Sequence, residues 1–259
     1  MIQGTPKLIR IKVKDTKELK FMPIGDCHIG ASTHDPKTLK KVINRALEER
    51  AYVLLCGDLV NLNLRNSKGS VYEDTLNPEH QLEAAIETFM PLADAGLLLG
   101  SLSGNHEDRV AREVGISAMG YIAKGLRTEN LGPNAIIQIV LPDSTWNIFA
   151  AHGAGGGGTQ ASKASKLEKL ALLCPLADII LVGHVHADVN FTTQTFRPNN
   201  SGVGVHLRHH FVTGSTQSWG GYAATNNMQP NRTGSWLFTL TCRDKDKNQP
   251  KKLFSEFIY

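Results

Sequence analysis

Short clusters of Asp, Asn and His recur along this chain, each directly after an apolar run and each fenced by glycine. They are Gly25-Asp26-Cys27-His28, Gly57-Asp58, Gly104-Asn105-His106-Glu107 and Gly183-His184-Val185-His186, and a fifth, Ala151-His152-Gly153, closes the stretch WNIFA. Carboxylate, amide and imidazole donors suit divalent first-row metals. Asp26, His28, Asp58, Asn105, His152, His184 and His186 are too many for one ion with an open position. They suit two ions that share a bridging carboxylate. Singly, each cluster has a bland reading: D-x-H as turn chemistry, Asn105 as the cap of a turn starting at His106, GHVH as a surface loop. Their shared position is what points to one centre, because ligands of open α/β sheets bind beyond the carboxyl ends of the strands.

The elements that must carry these clusters are legible as periodicity. LIRIKVK alternates as a half-buried strand and LKFMPIG follows as another. Asp35-Pro36 and Asn77-Pro78 each read as a cap with a first-turn proline. Apolar residues at helical spacing follow both: Leu39, Val42, Ile43 and Ala46, then Leu82, Ile86, Phe89 and Met90. AYVLLCGD, GLLLGSLSGN and ADIILVGHVH are near-continuous apolar runs, as in strands covered on both faces. AIIQIVL and TWNIFAAHG form a strand pair turning at Pro142-Asp143, and a helix runs through Leu167, Leu170 and Ala171. HLRHHFVTGS, GSWLFTLT and KLFSEFIY add further strands. Alternating strands and helices followed by strands in series predict an α/β fold, a two-sheet sandwich flanked by helices. With no repeat or linker, the chain reads as one domain over residues 1–259.

Composition narrows the class. The 259 residues are 41% hydrophobic and 20% charged, an ordinary globular balance. No apolar run reaches bilayer length and the N-terminus lacks a signal-peptide core, so a cytoplasmic location and no membrane are expected. Four scattered cysteines without a C-x-x-C pair argue against a disulfide framework. The net charge of +4 mildly favours anionic partners; a nucleic-acid groove is allowed and not demanded.

In order, D-x-H, G-D, G-N-H-E, H and G-H-x-H resemble the signature of the calcineurin-like metallophosphoesterase family. The resemblance implies a four-layer αββα sandwich with a dinuclear centre at the sheet edge. It implies Asp26, His28 and His186 on one ion, Asn105, His152 and His184 on the other, Asp58 between them, and His106 as a catalytic histidine that binds no metal. It further implies hydrolysis of phosphate esters by in-line attack of a metal-bound hydroxide, with two divalent ions drawn from Mn, Fe, Zn, Ni or Co. The compact size resembles small microbial and phage-type members, which favours phosphodiesters such as nucleic acid or nucleotides. Phosphomonoester hydrolysis and a non-catalytic metal-binding scaffold are the alternatives. A metallo-β-lactamase-type site is disfavoured because Val189 stands where HVHAD would need a histidine.

One position departs from the family pattern. Many members carry aspartate three residues after the bridging one, where it orients the catalytic histidine; here the residue is Asn61. A less basic His106 is expected unless Asp108 or another acid substitutes, and Asn61→Asp should then raise the upper limb of the pH–rate profile. Other residues have weaker readings. Gly155–Gly158 is a floppy loop or a flap, with Lys163 and Lys166 in reach of phosphate. Cys27 is packing, and Arg109 pairs with an acid or, less favoured, contacts phosphate. Trp219 and Tyr222 could stack on a base or serve structure. The Arg10, Lys12, Lys14 face and the RDKDKNQPKK tail read as solvated, and His206, His209 and His210 as strand residues.

Overall fold

The computed structural model describes residues 4–65, 67, 69, 71–156, 158–199, 202–243 and 250–259. Its first half alternates strands and helices: β1 Lys7–Lys12, β2 Glu18–Ile24, α1 Pro36–Glu48, β3 Tyr52–Leu55, α2 Pro78–Asp94, β4 Leu98–Leu102, α3 Asn105–Val114 and α4 Ala118–Gly125. The second half is strand-rich: β5 Asn130–Gly132, β6 Asn134–Leu141, β7 Ser144–Ala151, α5 Gln160–Leu173, β8 Ile179–Val182, β9 Asn190–Asn199, β10 Gly202–Val212, β11 Gly214–Ser215, α6 Gly221–Thr225, β12 Gly234–Thr241 and β13 Leu253–Ile258. Among the described residues no helix is long and apolar enough to cross a membrane. All four cysteines are free thiols.

The caps act as their chemistry dictates. Asp35 accepts from the Lys37 and Thr38 amides, and Asn77 from the His80 amide. At α3 the bland reading of Asn105 as a cap does not hold: Gly104 is the cap, and Asn105 is the first helical residue, free to use its side chain elsewhere.

The strands form two mixed sheets. One runs β1-β6-β7-β8-β10-β9, the other β11-β12-β2-β3-β4-β5, with β13 on the far side of β12. Strand alternation divides the apolar residues among three layers. Leu54 of β3 faces the inter-sheet core with Phe21, Ile137, Ile139, Trp146, Ile148, Phe211 and Phe238. Its neighbours Val53 and Leu55 point outward to α1, α2 and α4, against Leu39, Val42, Phe89 and Ile122. On the opposite face, α5 covers Phe149, Ile180 and Val182 through Leu167 and Ala171. The order is therefore helices, sheet, sheet, helix.

Parallel pairing brings five strand ends to one rim. In the second sheet β2, β3 and β4 are parallel neighbours, with Ile24 beside Leu55 and Leu55 beside Ser101. In the first, β7 and β8 are parallel, with Ala151 beside Val182. The loops beyond β3 and β4 meet so closely that a Cβ on Gly104 would sit 2.1 Å from Asp58 Oδ1. Glu107, 1% exposed, ties these loops together. Its carboxylate accepts from the amides of Asp58 at 3.0 Å, Leu59 at 2.8 Å, Val60 at 3.3 Å and Gly104 at 2.9 Å. Glu107→Ala strands these four donors, and buried orphan polar groups each cost ~1–3 kcal/mol. We expect at least that loss in urea unfolding of metal-free protein; a loss within 0.5 kcal/mol, roughly the level of a neutral surface change, would refute this role.

Candidate metal centre

Each of the seven predicted ligands emerges from one of these five strand ends, and hydrogen bonds between loops lock them together. The Asp26 amide donates to the Gly57 carbonyl at 2.9 Å. The Asp26 carboxylate reaches the opposite sheet, where the His184 amide donates to its two oxygens at 3.0 and 2.8 Å. His152 crosses the other way, its Nδ1 donating to the Cys56 carbonyl at 2.8 Å. The sandwich is thus stitched at its rim by the candidate ligands themselves.

Local backbone geometry aims them. Asp26, His28, Asp58, His184 and His186 have φ of 51, 48, 48, 69 and 43°, the left-handed region that side-chain-bearing residues rarely adopt. Such strain persists only where the surroundings over-determine it. In D-x-H and H-x-H it turns both outer side chains to the same side, while the intervening Cys27 packs into the helix-side core.

The donor atoms converge on Asp58. Its Oδ2 lies 3.2 Å from His152 Nε2, 4.0 Å from His28 Nε2 and 3.9 Å from His106 Nε2. Its Oδ1 accepts from the His106 amide at 2.9 Å. On one side, Asp26 Oδ1 is 3.4 Å from His186 Nε2, which is 3.1 Å from His28 Nε2. On the other, Asp58, His152 and His184 cluster, and Asn105 Oδ1 lies 3.2 Å from His152 Nε2. The tautomers fit metal binding. His152 and His28 each turn Nδ1 to an oxygen acceptor, the Cys56 carbonyl and Asn61 Oδ1, which aims both Nε2 atoms at the centre. The residues present therefore fit two divalent cations with Asp58 between them.

Burial governs the charges. It opposes ionisation of Asp58, yet His152 and His106 outweigh it and hold the carboxyl well below its usual range. Burial likewise disfavours a cationic His152, but Asp58 pushes it up to about 10. Burial lowers His28, then His106 and His186 add to the effect. It also lowers His184 and His106, against the pull of Asp26 and Asp58 respectively.

Asn61 does not stand where the family pattern suggested. His106 Nδ1 donates to the Asn61 backbone carbonyl, while the side chain turns to His28, accepting from Nδ1 at 3.2 Å. Behind it lies an acid the sequence reading missed. Asp74 accepts from Asn61 Nδ2 at 2.6 Å, from the Asn63 amide and Nδ2 at 3.1 and 2.9 Å, and from Gln81 Nε2 at 2.9 Å. A carboxylate at position 61 would meet Asp74 and His28 rather than His106, so the expected pH effect of Asn61→Asp loses its basis. Asp108 forms no ion pair with His106 among the described residues; the nearest carboxylate is Asp58. Asp74 sits in a polar loop thirteen residues beyond Asn61, and no periodicity or motif marks it.

A cavity of about 510 Å³ opens over the centre. Arg109 lines it and, contrary to the favoured reading, has no carboxylate within ion-pair distance among the described residues; Nη1 donates to Asn63 Oδ1 at 3.2 Å and Ser67 Oγ at 2.7 Å. Lys163 also lines it, whereas Lys166 donates to the Ala154 and Gly155 carbonyls and pins the glycine loop. Of that loop, Gly155, Gly156 and Gly158 line the cavity, and Gly157 lies outside the described residues. Trp219 lines it too; the Tyr222 side chain and residues 244–249 of the basic tail lie outside what is described. On β10, His206 meets Asp178 at 3.1 Å, and His209 and His210 meet Thr192 and Thr193 at 3.0 Å; none lines the cavity.

No curated protein matches the chain. Among solved structures it is similar to Vps29 of Chaetomium thermophilum, at 11% identity over 94% of this chain and 97% of that one, with a TM-score of 0.41. It is similar to TT1561 of Thermus thermophilus, at 11% identity over 93% and 99%, TM-score 0.39. It is also similar to GAP50, described as the anchor in the inner membrane complex of Plasmodium, at 12% identity over 93% and 84%, TM-score 0.41. The family model of the calcineurin-like phosphoesterases matches residues 19–188. That span holds all seven converging donors and His106 and covers more than half of the sequence, so the chain belongs to the calcineurin-like phosphoesterase family.

Proposed function

We propose that this protein is a phosphoesterase that uses two divalent cations and prefers phosphodiesters. The observation that carries this reading is the convergence of the seven donors, Asp58 among them, in two adjoining clusters, five of the seven held at strained positive φ. A fold keeps such strain where geometry matters more than local stability. In the proposed assignment Asp26, His28 and His186 hold one ion, Asn105, His152 and His184 the other, and Asp58 both. When bound, the cations supply Lewis acidity at the phosphoryl oxygens and lower the pKa of a bound water.

The remaining chemistry falls to the chain's own groups. In hydrolysis the water oxygen bonds to phosphorus, the ester P–O bond breaks, and the departing oxygen takes a proton. His106 is placed to relay it: burial lowers its pKa, so a neutral Nε2 takes the proton the water gives up and passes it to the departing oxygen. Its Nδ1 is committed to the Asn61 carbonyl, so the proton it moves is at Nε2, which faces the centre. Arg109 adds positive charge at the cavity wall, where negative charge grows on the phosphoryl group. The cavity extends well beyond the donor cluster, leaving room for ester groups on both sides of phosphorus, which supports a diester preference.

Three outcomes test this reading. Metal-reconstituted protein should hydrolyse bis(4-nitrophenyl) phosphate with higher kcat/KM than 4-nitrophenyl phosphate; the reverse order would assign a phosphomonoesterase. His106→Ala should lower kcat about 10²–10⁴-fold, the usual weight of general acid–base catalysis, with metal content by elemental analysis unchanged. No hydrolysis of any ester, and no effect of that variant beyond partner binding, would leave a scaffold. Asp74→Asn should weaken metal binding about 10–100-fold in isothermal titration, as loss of an outer-shell partner does, by freeing Asn61 from the position that orients His28. Unchanged affinity would remove Asp74 from the site.

A further inference from the structure

Lys163 lies in the first turns of α5, only 4% exposed, and its side chain lines the cavity over the metal centre. Among the described residues its ammonium has no hydrogen-bond or ion-pair partner. The acid that influences it, Asp188, is engaged by Arg232 at 2.6 and 2.7 Å. Its neighbour Lys166 is satisfied by loop carbonyls. An unpaired ammonium whose stem is buried and whose head opens on the cavity is placed to take an anion there. The donor cluster accounts for one phosphate. Lys163 belongs to a different element and stands for a second.

The cavity also offers a shelf. Trp219 is 52% exposed while the other two tryptophans, Trp146 and Trp236, are 2% and 5% exposed. Its indole Nε1 donates to the Met228 carbonyl at 2.7 Å, which fixes the ring and leaves it able to stack. Gln217, Gln229 and Asn231 line the same cavity, and amides can read the edge of a base. Arg109 and Lys163, neither with an ion-pair partner among the described residues, line it as well, beside Arg232, which Asp188 pairs, and the carboxylates Asp58 and Glu73. An aromatic face beside a positive wall is how proteins hold single nucleotide units without reading a duplex.

The geometry points to a substrate in which a nucleoside and a second phosphate accompany the scissile phosphate. Trp219 carries the base, and Lys163 binds the second phosphate. This rests on the phosphoesterase reading above and names its substrate class. The same chemistry is found in a single-stranded nucleic acid and in a free nucleoside polyphosphate.

The test uses the full, metal-loaded chain. Cleavage of oligothymidylate and of thymidine 5′-triphosphate is measured beside bis(4-nitrophenyl) phosphate, which has neither base nor second phosphate. Lys163→Gln should lower the ratio of kcat/KM for the nucleotide substrate over the bis-aryl ester about 10–100-fold, the weight of a hydrogen bond to a charged group. Trp219→Ala should lower it about 5–100-fold, the weight of one stacked base. Binding of a slowly cleaved phosphorothioate oligothymidylate, read by anisotropy, should show the same losses. Lys163→Gln should also flatten its dependence on log salt by about 0.7, one phosphate contact fewer. Losses seen with the strand assign a nucleic-acid substrate; losses seen with the triphosphate alone assign a nucleotide. Ratios, affinities and salt slopes unchanged with both would overturn the inference. Should the wild type cleave nothing yet bind these probes through Lys163 and Trp219, the hydrolytic reading fails and the binding site stands.

Discussion

The placement of one carboxylate, Asp58, constrains everything around it. One oxygen accepts from the first turn of α3 and so fixes where His106 stands; the other lies between the imidazoles of His28 and His152. Those two histidines come from different sheets. Sliding one sheet against the other by a fraction of a residue would separate them, so the inter-sheet core of Phe21, Leu54, Ile137, Trp146 and Phe238 is also a positioning device for the site. Close-packed interiors deform little, and that stiffness is what lets a carboxylate at the rim keep its distances.

The rim itself is locally unfavourable. Five candidate ligand residues adopt left-handed backbone, imidazoles crowd together, and Glu107 is withdrawn from water. What offsets this is a dense set of backbone contacts between loops. Glu107 binds four amides, Gln81 Oε1 accepts from the Asn61 and Leu62 amides at 3.1 and 2.7 Å, and Ser215 Oγ donates to the Asp26 carbonyl at 2.7 Å. Polar networks of this kind are stable when every member is satisfied. The donors are therefore preorganised by neutral backbone groups before any charge on a substrate arrives.

Family membership points to phosphate-ester chemistry, and individual residues around the donors shape the site. Asn61 in place of an acid is one such feature. The carboxylate nearby is Asp74, and its influence runs through the Asn61 amide to His28 instead of to His106. The unpaired Lys163 and the exposed Trp219 are others, both set back from the donors in the same cavity.

Much of this was open to reading in one dimension. Apolar runs ended by glycine marked β2, β3, β4 and β8, because strands covered on both faces need uninterrupted hydrophobic sequence. Asp35-Pro36 and Asn77-Pro78 marked the starts of α1 and α2, because capping is local chemistry. The seven candidate donors stood out for a similar reason, each following directly on a strand. Short or polar elements such as α4, β5 and β9 carried no periodic signal; β9 is a strand by virtue of its antiparallel pairing with β10. Pairings, side-chain directions and burial belong to the tertiary structure alone. The parallel match of β1 to β6 across more than a hundred residues, the turn of Asn61 away from His106, the arrival of Asp74 behind it and the burial of the Lys163 stem all depend on contacts between segments far apart in sequence. Local composition specifies which groups are available; only the packing of distant segments decides what each one faces.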